Sequence, residues 1–315
     1  MRPSLLIAEP EDFTPSVLAA LREWADVSLG PIAPGSLGAE LARHDLVWTR
    51  LGHRLRAEDI PPRPRCRILA VPTTGLDHLD LPSLAAVGIE VASLRGEAGF
   101  LRSVSATAEH TIGLMLAVLR MVPAAQASVL AGGWDRDRFR GRELAGRRVG
   151  LLGAGRLACL VAGYLRAFGC EVLAYDPRPD FPPGIPRAPD LHSLLAFSEI
   201  LSVHATYDAT THHLLGQAQL SRLPRGAFLV NTSRGGIVDD VALVRLLKEG
   251  HLAGAALDVI EGEPNVGRDH PLVRLAASGG RVVITPHLGG NTTDSFAKTE
   301  AFLADKIRAR WRALS

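Results

Sequence analysis

Apolar positions along the chain follow two rhythms. Short runs rich in Val, Leu and Ile alternate with longer stretches in which apolar residues recur every three or four positions. The short runs predict strands at 4–8, 46–49, 67–71, 89–92, 148–152, 171–175, 200–203, 227–231, 253–259 and 281–285. The longer stretches predict helices at 15–24, 106–121, 156–168, 239–249 and 293–312. Several strands are apolar throughout, as in Val149-Gly150-Leu151-Leu152 and Arg281-Val282-Val283-Ile284. Strands buried on both faces read this way, so the pattern predicts an α/β fold with parallel sheets covered by helices on both sides.

Pro and Gly punctuate the chain at 30–38, 61–64 and 179–189, and the last of these holds five prolines, which predicts a stiff surface loop. The apolar stretch 111–122 runs into Pro123 and is about half a membrane span, so it reads as a buried helix. The N-terminal apolar run is too short for a signal-peptide core.

Composition narrows the function. A chain of 315 residues suits two domains. With 35 Lys and Arg against 33 Asp and Glu, the net charge is +2, which speaks against a nucleic-acid binder working through a basic face. Cys66, Cys159 and Cys170 are isolated, so no disulfide framework or zinc cluster is suggested, and a reducing, cytoplasmic setting is expected. No carboxylate–histidine spacing points to a metal, and His212 and His213 read as solvated helix residues.

The sharpest local feature is Gly153-Ala154-Gly155-Arg156-Leu157-Ala158, a G-x-G-x-x-A run between an apolar strand and a helix. Gly153 permits a tight turn, Gly155 lets backbone approach a pyrophosphate, and Ala158 lets helix pack closely on strand. The helix N-terminus then presents N–H groups to phosphate. The next predicted strand ends at Asp176, 23 residues after Gly153, where a carboxylate can accept both ribose hydroxyls of an adenosine. Arg178 could meet a 2′-phosphate, but Asp176 would repel it, so NAD is expected over NADP. About 150 residues precede this motif, so the nucleotide lobe follows or interrupts another α/β lobe.

Three later segments place polar groups just after apolar strands: Asn231-Thr232-Ser233-Arg234-Gly235-Gly236, Leu257-Asp258-Val259-Ile260-Glu261-Gly262-Glu263-Pro264 and Thr285-Pro286-His287-Leu288-Gly289-Gly290. Open α/β sheets bind ligands at those strand ends. Together with the glycine motif, and with Thr74-Gly75-Leu76-Asp77-His78, Ala108-Glu109-His110-Thr111 and Gly133-Trp134, this order resembles the D-isomer-specific 2-hydroxyacid dehydrogenases, among them phosphoglycerate, glyoxylate/hydroxypyruvate and D-lactate enzymes.

The resemblance implies two Rossmann/flavodoxin-like lobes, with an NAD-binding lobe at 98–287 inserted in a substrate-binding lobe made of 1–97 and 288–315. It implies Arg234, Glu263 and His287 as the catalytic set. An Arg can hold a carboxylate in a two-pronged fashion and polarise a carbonyl. A His can move a proton near neutral pH, and an adjacent carboxylate orients it. Arg156, Leu157, Thr206, Thr232, Ser233, Asp258, Gly289 and Gly290 are expected along the cofactor, and the backbone of Thr74, Gly75 and Leu76 at the substrate carboxylate. The expected reaction interconverts a D-2-hydroxy acid and its 2-keto acid, in a homodimer, with no nucleic-acid or membrane partner.

Two departures from the family stand out. The segment 93–104 lacks the usual short turn, looks about five residues longer, and carries Arg95 and Arg102, which suggests contact with a second anionic group on the substrate. Thr206 stands where relatives often carry proline. The 25 residues after Gly290 are expected to form one helix returning to the first lobe, without an added regulatory domain. Two rival readings share the fold: an enzyme for another small anion such as formate or phosphite, and a nucleotide-sensing corepressor. Glu263 weighs against the first, since formate enzymes pair the His with an amide. The lack of added tails weighs against the second.

Overall fold

A computed structural model describes residues 2–314. The chain forms two compact units: one runs up to Val104 and resumes at Thr292, and the other, Ser105–Asn291, is inserted between those two pieces. The sequence placed the joins at 97/98 and 287/288.

The first unit holds strands β1 (Ser4–Ile7), β2 (Asp26–Leu29), β3 (Leu46–Trp48), β4 (Ile68–Val71) and β5 (Glu90–Ser93). They form one parallel sheet in the order β2-β1-β3-β4-β5. Side chains alternate between its faces, as strand geometry requires. Leu5, Ile7, Trp48, Ile68 and Ala70 pack on one side with Leu303 and Ile307 of the C-terminal helix Thr293–Leu314. Val47, Leu69 and Val71 pack on the other with Leu37, Leu41 and Leu84. The last helix is fastened further by Glu300, fully buried, which takes the Arg50 guanidinium at 2.6 Å and the Thr14 N–H at 2.9 Å.

The second unit holds β6 (Arg148–Leu152), β7 (Glu171–Tyr175), β8 (Ile200–Val203), β9 (Ala227–Asn231), β10 (Leu252–Leu257) and β11 (Val282–Ile284). This sheet is also parallel, in the order β11-β10-β9-β8-β6-β7. Helices Ala106–Arg120 and Arg156–Ala167 cover one face through Met115, Val118, Ala158, Val161 and Leu165. Leu194, Leu243, Leu246 and Leu272 cover the other. The strand order reverses between β6 and β8, which creates a crevice at their carboxyl ends.

Three local expectations are corrected. β2 was not expected, because its residues are mostly exposed and it pairs only with β1. Pro123 does not simply stop a helix: Met121 turns the backbone with φ +53°, and a second helix, Val122–Leu130, begins with Pro123 in its first turn, where a missing N–H costs nothing. His212 and His213 sit in a turn rather than a helix. Among the described residues no single helix is long and apolar enough to cross a membrane.

Candidate active site

The glycine turn sits at the reversal of strand order in the inserted unit. Gly153 has φ +94°, and a Cβ there would lie 2.7 Å from backbone atoms of His204 and Ala205, at the end of β8. Its N–H donates to the Tyr175 carbonyl at 2.7 Å. Both conformation and space therefore demand glycine. Gly155 differs. It caps the helix Arg156–Ala167 with φ −77°, and a Cβ on it would meet nothing within 4 Å. Neither protein packing nor backbone strain accounts for that glycine. The open cradle, at the N-terminus of a twelve-residue helix, fits a dinucleotide pyrophosphate. Arg156 and Leu157 stand half-buried on the first turn, and Ala158 is fully buried against the sheet.

Asp176 follows β7 and is 5% exposed. Its Oδ2 accepts the Ala154 N–H at 3.0 Å, and the Arg178 guanidinium closes on both carboxylate oxygens at 2.9 and 2.7 Å. Burial alone would raise this carboxyl, but Arg178 and the backbone N–H groups of Ala154 and Arg178 bring it down to about 2. The sequence placed Asp176 and Arg178 as alternatives; the fold pairs them.

The remaining groups stand on the ends of three adjacent strands. After β9, the buried Asn231 holds the turn: its Nδ2 donates to the Arg234 carbonyl at 2.9 Å and its Oδ1 accepts the Ser233 N–H at 3.0 Å. Thr232 is buried and pairs its hydroxyl with Thr111 at 2.8 Å. Gly235 must be glycine, since a Cβ would fall 2.2 Å from the Ile260 carbonyl carbon. That close approach joins the Arg234 turn to the segment after β10. There Glu263 Oε1 stands 3.0 Å from His287 Nδ1, which comes from the end of β11. An Nδ1–H donated to this carboxylate leaves Nε2 on the opposite edge of the ring.

His287 is held in place from behind. Its backbone has φ +54°, uncommon for a residue with a Cβ. Asp258, 1% exposed, fastens the segment: it accepts the N–H groups of Leu288 at 2.7 Å and Gly289 at 2.8 Å, and the Thr285 hydroxyl at 2.6 Å. Gly289 is confined between Asp258 and Thr107, while a Cβ on Gly290 would meet open space. His110, part of the family-like run 108–111, reaches Asp258 at 3.1 Å and Thr285 at 3.1 Å. Sequence reading missed this role because its partners lie 148 and 175 residues away. Thr206 is exposed, and its carbonyl accepts the Thr211 hydroxyl at 2.8 Å.

In the other unit, Thr74, Gly75 and Leu76 form the turn after β4, with the Thr73 hydroxyl donating to the Gly75 carbonyl at 2.8 Å. The 93–104 segment is not an open loop. It contains the short helix Ala98–Leu101, and Lys306 ties it down through the Ser93 carbonyl and Glu97. Arg95 donates to the Thr74 carbonyl at 3.3 Å, whereas Arg102 is the exposed residue closing the short helix. The fold thus brings Arg95, and not Arg102, to the Thr74 turn.

Comparison with known proteins bears on the family and the fold. Residues 112–289 match the NAD-binding domain of the D-isomer-specific 2-hydroxyacid dehydrogenases. The chain is 34% identical to a glyoxylate reductase of Thermofilum pendens over 291 residues, covering 88% of this chain and 83% of that one. It is also 34% identical to the D-3-phosphoglycerate dehydrogenase of Mycobacterium tuberculosis, covering 97% of this chain but 56% of the relative, so it spans little more than half the length of that protein. Among solved structures, the NADPH-dependent glyoxylate/hydroxypyruvate reductase of Sinorhizobium meliloti, in complex with NADP and malonate, superposes with a TM-score of 0.82 at 28% identity, covering 99% of this chain and 94% of that one. With the family match spanning more than half of the 315 residues, the chain belongs to the D-isomer-specific 2-hydroxyacid dehydrogenase family.

Proposed function

We propose that the protein is an NAD(H)-dependent oxidoreductase that interconverts a D-2-hydroxy acid and its 2-keto acid. The observation that carries this reading is the His287–Glu263 pair at 3.0 Å, after β11 and β10, with β10 lying next to β9, the strand that precedes Arg234. When bound, the nicotinamide supplies or accepts the hydride. Arg234 holds the substrate carboxylate and polarises its carbonyl. His287 gives a proton to the new alkoxide in reduction and takes it back in oxidation. Glu263 orients the imidazole through its contact with Nδ1. Asp258 and His110 are positioning residues that hold the His287 segment.

Asp176 supports NADH over NADPH as the working cofactor, although the Sinorhizobium relative was solved with NADP. The cytoplasm is the proposed compartment. A homodimer is the proposed assembly, supported by the exposed Val122, Val129, Leu130 and Trp134 on and after the second helix of the inserted unit; sedimentation at micromolar concentration checks it.

The backbone of Thr74, Gly75 and Leu76 is the proposed anchor for the substrate carboxylate, and Arg95 beside it reads a second anionic group. The test is NADH oxidation against glyoxylate, pyruvate and hydroxypyruvate on one side and dianionic 2-keto acids on the other. A charge-assisted contact is worth roughly 1.5–3 kcal/mol, so Arg95→Ala should cut kcat/KM for the dianionic acid by about 10- to 150-fold and spare glyoxylate. Arg102→Ala should change neither. Absence of turnover with every 2-keto acid would refute the oxidoreductase reading; an equal loss on both substrate kinds would refute only the role of Arg95.

A further inference from the structure

His212 and His213 read from the sequence as ordinary solvated side chains, but the fold gives them a third partner 48 residues downstream. His213 Nε2 lies 3.1 Å from Glu261 Oε2. The two imidazoles stack with centroids 4.0 Å apart and planes inclined by 22°. One ligand atom from each of His212, His213 and Glu261 lies within 4.8 Å of the others.

Two further observations show that the rings are held rather than merely adjacent. His213 has φ +48°, a conformation that residues with a Cβ seldom adopt, and its N–H donates to the Gly236 carbonyl at 2.8 Å. The Tyr207 hydroxyl stands 3.1 Å from His212 Nδ1, an outer contact that sets the ring and directs Nε2 as the donor. Gly236, in turn, packs against the Tyr207 ring. An exposed His–Glu ion pair needs neither the second histidine nor the tyrosine behind it.

We propose that His212, His213 and Glu261 form a binding site for a divalent transition metal of the zinc class. Two imidazoles and a carboxylate make a borderline donor set suited to Zn²⁺ or Co²⁺, with water completing the sphere, and not to Ca²⁺ or Mg²⁺, which take all-oxygen shells. Metal–nitrogen bonds of about 2.0–2.1 Å set tetrahedral ligand atoms about 3.3 Å apart, close to the separation His213 and Glu261 already have. Because a metal lies in the plane of each imidazole it binds, closure requires the exposed His212 ring to turn out of its stack on His213 until the two nitrogen lone pairs converge. Such a site would clamp the segment after β8 to the segment after β10, two residues from Glu263. It stands independently of the proposed oxidoreductase activity.

The test is titration of the untagged full chain with Co²⁺, followed by displacement with Zn²⁺. The expected result is one Co²⁺ per chain with a visible absorption band of low-symmetry coordination, and a rise in Tm on adding Zn²⁺. His212→Ala leaves the His213–Glu261 pair intact and should weaken Co²⁺ binding at least tenfold and abolish the Zn²⁺-induced rise. Glu261→Gln should do the same, and Tyr207→Phe should weaken binding about tenfold through ring orientation alone. No saturable binding, or binding that survives both His212→Ala and Glu261→Gln, would overturn the assignment.

Discussion

Asp176 illustrates how a single side chain carries a specificity argument and how a neighbour modifies it. The carboxylate is ionised, and Arg178 already occupies both of its oxygens. Ribose hydroxyls must displace part of that guanidinium, and a 2′-phosphate must face the carboxylate with the same guanidinium beside it. Arg178 therefore softens the repulsion on which the preference rests. Asp176→Ala should narrow the NADH-over-NADPH ratio of kcat/KM. Arg178→Ala should widen it, by about fivefold for a pair with an exposed guanidinium, worth about 1 kcal/mol. Steady-state kinetics with both cofactors check the two together; equal use of both cofactors by the wild type would remove the argument. The linkage sign is that of a depressed acid. With its folded value near 2, below the ordinary 3.8, Asp176 stabilises the fold above about pH 4, and that contribution is lost as pH falls towards 2.

At the scale of the element, the strand-to-helix turn after β6 separates two reasons for glycine. Gly153 is required by the fold, whereas the fold places no demand on Gly155, and its glycine fits the proposed cofactor. Gly153→Ala forces a Cβ into backbone 2.7 Å away at a positive φ. At a cost of about 2 kcal/mol or more, Tm should drop by about 4–8 °C. Gly155→Ala places its methyl in open space and should leave Tm within about 1 °C of wild type, yet NADH affinity should fall at least tenfold, read by fluorescence titration. Elements of this kind were legible in the sequence because buried parallel strands are apolar on both faces, and β6 to β9 were bounded to the residue. Other elements were not. β2 is an exposed edge strand with Asp26 and Ser28 in its four residues, so no apolar run marks it. The helix Val122–Leu130 was hidden because Pro123 serves equally as a stop and as a first-turn residue. His110 and the His212–His213–Glu261 cluster depend on partners brought together only by the sheet, and no local pattern announces such contacts.

For the whole molecule, the insertion of one α/β unit into another was foreshadowed by the position of the glycine motif, some 150 residues into the chain. The residues that complete the first unit, Leu303 and Ile307, come after the inserted unit and return to its core. The proposed function divides the labour within the inserted unit: the turn after β6 would hold the cofactor's pyrophosphate, while Arg234, Glu263 and His287, after β9, β10 and β11, would act on the substrate. Arg234→Ala separates the two most directly, because Arg234 belongs to the second set alone. Two quantities are measured on the same protein: the Kd for NADH, and kcat/KM for the best 2-keto acid. The account predicts an NADH Kd within about twofold of wild type and a loss in kcat/KM of at least about 100-fold, the size of one preorganised transition-state contact. A parallel loss of NADH binding, or turnover that survives the substitution, would contradict it.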